Sequence, residues 1–359
     1  MTHYEERLER DLERIREKLR RLAEKIGQAL RNATHAVLTH DHALASDTIL
    51  DDLEINRQIR ALDERCHAFI ALYLPSAGHL RYISSVLRLN IALERVGDYA
   101  VAIAREAAQL SDKPPGTVAG DIELMAEQSG RLFQESMIAF NAASPERARG
   151  TQGMAYQVSV TFAKVFADLL KAGEKGKRPL RDLFALLVVF NRLSRVADQA
   201  KNVCEETIFA VTGETKAPRV YRILFLDERN AGASQLAEAL ARKAFPTTGS
   251  YESAGWAPAD TLDPGFKEFM DNRGFDVGSL RPSGLPPTHE QLATYQIIIS
   301  LQGDARPHLE ELPFHTVLLE WDVGAADRSA DETALEEMRK ALAARMQELM
   351  ERLRGEGAS

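Results

Sequence analysis

The sequence predicts a multidomain protein: an all-α pair of three-helix bundles, followed by an α/β three-layer domain with a small parallel sheet. Three observations lead there. First, residues 1–216 hold five prolines (Pro75, Pro114, Pro115, Pro145, Pro179), whereas residues 217–359 hold nine. Long proline-free stretches permit long helices, and closely spaced prolines enforce short elements and turns. Second, Leu80-Arg81 and Leu93-Glu-Arg-Val-Gly-Asp98 recur 100 residues later as Leu180-Arg181 and Leu193-Ser-Arg-Val-Ala-Asp198, so the first part is built of two matching halves. Third, the apolar period changes at Arg222-Ile-Leu-Phe-Leu226, from helical spacing to an unbroken run of strand formers.

The elements follow in order. Apolar residues at 3/4 spacing predict helices over about 4–38, 42–73, 78–112, 120–142, 146–173 and 179–212. In the third of these, Ile83, Val86, Leu89, Leu93, Val96, Ala100 and Ile103 form one stripe. Breaks fall at Pro75-Ser-Ala-Gly78, Asp112-Lys-Pro-Pro-Gly116 and Gly173-Glu-Lys-Gly-Lys-Arg-Pro179. Long helices with short links make antiparallel bundles, expected at 1–112 and 117–212, with a polar linker at 213–219. From 220 to 355 the pattern is α/β. The strand Arg222–Leu226 is followed by a glycine-containing turn and the helix Ser234–Arg242. Two further buried strands are predicted at Tyr295–Ser300 and Thr316–Glu320, with helical patterns between and after them, ending in Glu332–Arg354. Alternating strands and helices imply a parallel sheet, which binds ligands at the carboxyl ends of its strands. The loop after Leu226 is therefore the place to seek chemistry.

Composition narrows the function classes. A chain of 359 residues with 45% hydrophobic and 27% charged residues is a folded protein of more than one domain. The net charge of −8 argues against a nucleic-acid grip through phosphates. The longest strongly apolar run, Phe184–Phe190, is far short of the ~20 residues a membrane span needs, so no membrane insertion is expected. The N-terminal stretch is charged throughout, unlike a signal peptide, which points to the cytoplasm. The two cysteines, Cys66 and Cys204, are too few for a disulfide framework and read as buried small hydrophobes. The histidines His35, His40 and His42 read as surface polar residues, and His289, His308 and His315 lie near element ends.

Residues four apart share a helix face, so Asn90, Glu94 and Asp98 form a ladder of oxygen groups, and Asp52 and Asn56 repeat that spacing on the preceding helix. Brought face to face without partners, such carboxylates repel, and a hard or borderline cation between them would remove that cost. The competing reading is a solvated charged face, with Glu94 and Asp98 paired to Arg95, Arg105 or Arg81.

Residues 1–212 resemble the PhoU family of phosphate-signalling regulators over its whole length. The resemblance rests on Asp52-Leu-Glu-Ile-Asn56, Cys66, Leu74-Pro-Ser-Ala-Gly-His-Leu-Arg81 and Leu93-Glu-Arg-Val-Gly-Asp98, and in the second repeat on Ser194-Arg-Val-Ala-Asp198 and Lys201-Asn-Val-Cys-Glu-Glu206. It implies paired three-helix bundles that restrain phosphate uptake and phosphate-starvation signalling, through contacts with the ATPase subunit of the phosphate transporter and a phosphate-sensor histidine kinase. A homodimer is left open. Some members bind divalent or iron-type metal clusters through E/D-x-x-x-D motifs. Carried over, the metal residues are Asp52, Asn56, Glu94 and Asp98, with only Asp198 in the second repeat. There Ser194 replaces the acid equivalent to Glu94, and the stretch Thr151–Gln157 offers no carboxylate. The family's D-L-R segment reads His79-Leu-Arg81 here. At most one metal site is expected.

The stretch Arg222–Ala239, with Glu252-Ser-Ala-Gly255, Asp263-Pro264, Arg273-Gly-Phe-Asp276 and Arg281-Pro282, resembles the low-molecular-weight protein tyrosine phosphatase and arsenate reductase superfamily. That resemblance implies a C-x5-R-[ST] loop in which a thiolate attacks and an arginine fork holds the oxyanion. Here the loop is Asp227-Glu-Arg-Asn-Ala-Gly-Ala-Ser234, with Asp227 at the nucleophile position and Ala233 at the arginine position. Asn230 and Ser234 are kept, and no cysteine follows residue 204. The family's Asp-Pro acid after the fourth strand is also missing, with Asp322 or Asp327 the nearest substitutes. A carboxylate at Asp227 would sit over backbone N–H groups and a helix N-terminus, stabilised there by up to ~2 kcal/mol, and would repel phosphate. Arg229 could swing inward, but reads as a surface charge. The expectation is a silent phosphatase-like module with no catalytic residue and no bound cofactor beyond the helical metal. An enzyme with altered chemistry at Asp227, by an aspartyl-phosphate route or otherwise, and an oxyanion sensor without turnover are the alternatives.

Overall fold

A computed structural model describes residues 3–174, 179–215, 220–309, 312–313, 316–323 and 332–354. Residues 216–219 of the expected linker, His315 and Asp327 lie outside the described residues. The chain divides into two compact units, Met1–Lys216 and Ala217–Ser359.

The first unit is helical. Its helices are α1 (His3–Thr39), α2 (His42–Tyr73), α3 (Ala77–Ala107), α4 (Gly116–Asn141), α5 (Pro145–Glu174) and α6 (Leu180–Thr212). Two ends differ from the sequence expectation. α3 stops at Ala107 rather than near 112, although Leu110 keeps the apolar period and is buried. The Leu110 carbonyl is instead taken by His40 Nε2, at 2.8 Å. His40 is thus not a plain surface residue: it sits at φ 57° in the α1–α2 turn, edge-on to His42. α4 starts at Gly116 rather than near 120, directly after Pro115, which is its N-cap in an extended conformation (φ −61°, ψ 153°).

The helices fall into two sets of three, α1–α3 and α4–α6, that share one continuous core. It runs from Leu12, Ile15 and Leu19 of α1 through Leu89 and Leu93 of α3 to Leu186, Phe190 and Leu193 of α6, all essentially excluded from solvent. α3 and α6 run antiparallel along the middle. One end is tied by Ser111, whose hydroxyl donates to Asp182 Oδ2 at 2.5 Å. The other is tied by Arg88, which donates to both oxygens of Glu206 at 3.1 Å. Cys66 and Cys204 are buried free thiols pushed up to about 12 by desolvation, as small hydrophobes in a core would be. No helix among the described residues is long and apolar enough to cross a membrane.

The second unit is α/β. Its elements are β1 (Tyr221–Asp227), α7 (Ala233–Ala244), β2 (Gly249–Gly255), α8 (Pro264–Asn272), α9 (His289–Leu292), β3 (Ile297–Ser300), β4 (Val317–Glu320) and α10 (Glu332–Arg354). All strand pairs are parallel, in the order β2-β1-β3-β4. β2 was not among the strands predicted from apolar runs. Its sequence Gly-Ser-Tyr-Glu-Ser-Ala-Gly has one aromatic and no β-branched residue, and pairing with β1 rather than local propensity makes it a strand. On one face Ile223, Phe225, Ile297 and Ile299 pack against α7, α8 and α10. On the other, Leu224, Leu226 and Ile298 pack against Leu292 of α9, Tyr295 and Leu309. These are the three layers expected. Asp227 ends the central strand β1 and lies beside Gly255 of β2, so the loop after it opens at the carboxyl edge of the sheet.

Candidate functional site

The loop between β1 and α7 is wrapped around one side chain. Asp227 is 7% exposed, and both of its carboxylate oxygens are engaged by the loop that follows. Oδ1 accepts from the backbone N–H of Asn230, and Oδ2 accepts from the N–H of Ser234 at 2.9 Å, in the first turn of α7. The loop's carbonyls point the other way. Those of Glu228, Arg229 and Ala231 accept from the amides of Ala257, Ala259 and Asp263 at 2.8–2.9 Å. Amides turned in and carbonyls turned out make an anion nest, and the anion in it is the chain's own.

Every position flagged in this loop has a structural part. Asn230 adopts φ 48°, a left-handed conformation Asn tolerates well. Its Nδ2 donates to Ser234 Oγ at 2.9 Å. Its Oδ1 accepts from Gln235 Nε2 at 2.9 Å and from the Ser283 N–H at 2.8 Å. Ser234 is fully buried. Ala233 opens α7 and presents no charge. Arg229 is half-buried rather than a free surface charge, and its side chain makes no hydrogen bond to Asp227 among the described residues. Asp322 is exposed beside the buried Trp321. Asp263 caps α8, accepting from Gly265 N–H at 2.9 Å ahead of Pro264.

Three supports of the loop were given no role from the sequence: Gln235 follows the loop directly, and Gly255 and Gln302 reach it from farther along the chain. Gln235 also donates to the Arg281 carbonyl, at 2.9 Å. Gln302 accepts from the Glu228 N–H at 3.0 Å. Gly255 lies so close that a Cβ there would stand 2.7 Å from the Glu228 carbonyl oxygen and 2.8 Å from the Asn230 nitrogen. Glycine is required there by backbone approach.

The oxygen ladders of the helical unit meet only in part. Asp52 on α2 and Asp98 on α3 face each other across Gly97. Asn56 donates to Asp52 Oδ2 at 2.7 Å. Asn90 turns inward instead, donating to the Ile59 carbonyl at 2.8 Å. Glu94 is exposed on α3, and Asp198 sits on α6, ion-paired to Arg195 at 3.2 Å. Among the described residues no three His, Cys, Asp or Glu side chains are gathered so as to hold a metal ion. A multi-carboxylate cluster therefore does not fit. Asp52, Asp98 and Asn56 offer one cation at most. Burial holds Asp52 above the usual carboxylate range and Asp98 adds to it, against Asn56 and Arg105. Burial also raises Asp98, opposed by Arg105. Arg105 is thus the counter-charge of the expected three, whereas Arg81 lies against Gly213 at the end of α6.

Comparison with known proteins agrees with this division. Residues 19–107 and 122–207 match the PhoU domain, and residues 222–358 match the low molecular weight phosphotyrosine protein phosphatase family. The helical unit is thus similar to PhoU domains, and the α/β unit to that phosphatase family. The phosphate-specific transport system accessory protein PhoU homolog of Pseudomonas aeruginosa is 27% identical over 214 residues, 59% of this chain and 88% of that protein. Its counterpart in Synechocystis is 27% identical over 161 residues, 45% of this chain and 71% of that protein. The crystal structure of PhoU from Pseudomonas aeruginosa superposes with a TM-score of 0.55 at 26% identity, covering 57% of this chain and 99% of that one.

Two outcomes follow from this geometry. Asp227→Ala removes the acceptor of two buried amides, so the α/β unit should lose about 1–3 kcal/mol. Urea unfolding followed by the fluorescence of Trp256 and Trp321, which both lie in that unit, measures it. The Asp52–Asp98 pair acts in the opposite sense. Carboxyls whose folded pKa is raised destabilise the fold once ionised, so the penalty is absent below the ordinary carboxylate range and complete above the raised values. Asp98→Asn should therefore raise the Tm of the helical unit at pH 7, with the gain vanishing near pH 3, in melts followed by circular dichroism.

Proposed function

We propose that this chain regulates phosphate uptake and phosphate-starvation signalling in the cytoplasm by protein contacts, with a catalytically silent phosphatase-like module attached. The helical unit is the regulatory part. Its likeness to transport-system accessory proteins supports that role, and the ATPase subunit of a phosphate transporter and a phosphate-sensor histidine kinase are the partners proposed. The α/β unit is a pseudophosphatase. The observation that carries this is the double engagement of Asp227 by the amides of Asn230 and Ser234. A carboxylate so placed occupies the nest, offers no sulfur nucleophile, and repels an incoming phosphate. Ala233 supplies no guanidinium to outweigh that repulsion.

Hydrolysis of an aryl phosphate tests the reading. Wild-type protein and Asp227→Ala should both stay at the uncatalysed background; turnover that is lost in Asp227→Ala makes the module an enzyme with altered chemistry. Calorimetric titration of the wild type with inorganic phosphate should show no binding. A Kd of about 1 mM or tighter makes it an oxyanion sensor instead.

A single hard cation between Asp52 and Asp98 is a second reading, favoured by the like charges that face each other there. Purified protein should then contain one equivalent of a divalent or iron-type metal, absent from Asp52→Asn/Asp98→Asn. Equal metal content in both proteins removes the site.

A further inference from the structure

The α/β unit carries a cavity that the anion loop does not use. It measures about 460 Å³, within the range of small-molecule sites. Its walls are Leu285, Pro286, Pro287, Leu292 and Leu309, and Leu292 and Leu309 belong to the core on the second face of the sheet. The polar residues that line it are Thr288, His289 and His308. Among the described residues no Asp, Glu, Lys or Arg lines it, and no residue of the loop Asp227–Ser234 does. The neighbouring cation in sequence, Arg306, is turned to Asp304 and Glu320, at 3.5 and 3.8 Å. The Thr288 hydroxyl oxygen is engaged by the Gln291 N–H, at 3.2 Å. The ring nitrogens of His289 and His308 have no hydrogen-bond partner among the described residues. His308 lies flat against Trp256, with ring centroids 4.3 Å apart and 4° between the planes. Trp256 is partly buried and does not line the cavity, so the indole backs the imidazole and the stack meets the cavity through His308.

We propose that this cavity binds an uncharged planar aromatic molecule of one or two fused rings that carries a hydroxyl group, its ring packed on the Trp256–His308 stack and its hydroxyl hydrogen-bonded to His289. The inference goes beyond the regulatory reading and does not depend on it. The lining selects the chemistry. A phosphate, sulfate or carboxylate would lose its water without meeting a fixed cation. A metal ion would find two imidazoles and no third side chain, since no three His, Cys, Asp or Glu gather among the described residues. An aliphatic molecule could fill the apolar walls but would forgo the stacking that a second ring offers to a ring already held in place. A neutral imidazole has one donor and one acceptor nitrogen, and a hydroxyl answers either. Because Trp256 already fixes the His308 ring, little side-chain freedom is lost on binding.

The experiment titrates the full chain at about pH 8, where a histidine of ordinary pKa is neutral, with three probes of one size: 2-naphthol, its saturated analogue decahydro-2-naphthol, and naphthalene-2-sulfonate. Calorimetry should give a Kd of about 0.3 mM or tighter for 2-naphthol and at least about tenfold weaker binding for the other two. The chain has two tryptophans, so labelling the indole nitrogens gives two resonances. That of Trp256 should move on adding 2-naphthol, and that of Trp321, in the core on the opposite face, should stay. His308→Leu and His289→Leu should each weaken 2-naphthol at least about fivefold, whereas His308→Phe, which keeps a ring to stack on, should stay within about twofold. Both histidines are exposed, and unchanged circular dichroism shows that each variant is folded. The proposal is overturned if 2-naphthol does not bind, if the saturated alcohol or the sulfonate binds as tightly, if His308→Leu binds like the wild type, or if the Trp256 resonance stays where it was.

Discussion

A carboxylate held by its own backbone nest governs the second half of this protein. A turn leading into a helix leaves amides without partners, and in an open sheet those amides converge at the carboxyl end of the central strand. The nest must be filled by something negative or by water. Here Asp227 fills it from within, and the consequences spread outward. Asn230 takes a left-handed conformation, Gln235 and Ser283 brace its side chain, and Gly255 allows the neighbouring strand to pass within contact distance of the loop. The scaffold that would cradle an oxyanion stays closed around an internal substitute.

The helical unit obeys a different constraint. Its two sets of three helices do not close separate cores, since the α3–α6 pair buries its stripes along the middle and the same apolar network runs through both sets. The ties at either end, Ser111 to Asp182 and Arg88 to Glu206, fix the register of that pair. Repeated motifs in the two halves are therefore used unequally. In the first, Asp98 faces Asp52 across a glycine; in the second, Asp198 simply pairs with Arg195 at the surface.

These two constraints give the units different kinds of negative charge. The one at Asp227 is stabilised by directed N–H groups and is buried. The one on α2 and α3 is left largely to solvent, with Arg105 as a distant counter-charge, and it borders exposed leucines. The first kind stabilises a fold and fills its own nest. The second costs the folded chain some stability once ionised.

Much of this was legible in the residues. Periodicity placed all six long helices and three of the four strands, because amphipathic stripes and apolar runs are local records of burial. The missing cysteine and arginine of the loop, and the carboxylate in their place, are also facts of sequence, and from them the filled nest could be reasoned. Other features were decided only by tertiary contact. β2 is a strand because β1 pairs with it, not because its residues favour one. Beyond the end of α3, the Leu110 carbonyl finds its partner in His40, seventy positions away. Glu94 shares a helix face with Asp98 yet stays in water, while Asn90 of the same ladder turns into the core, because facing side chains and not spacing choose which rungs meet. Spacing along a chain states what can share a face; only packing settles what that face touches.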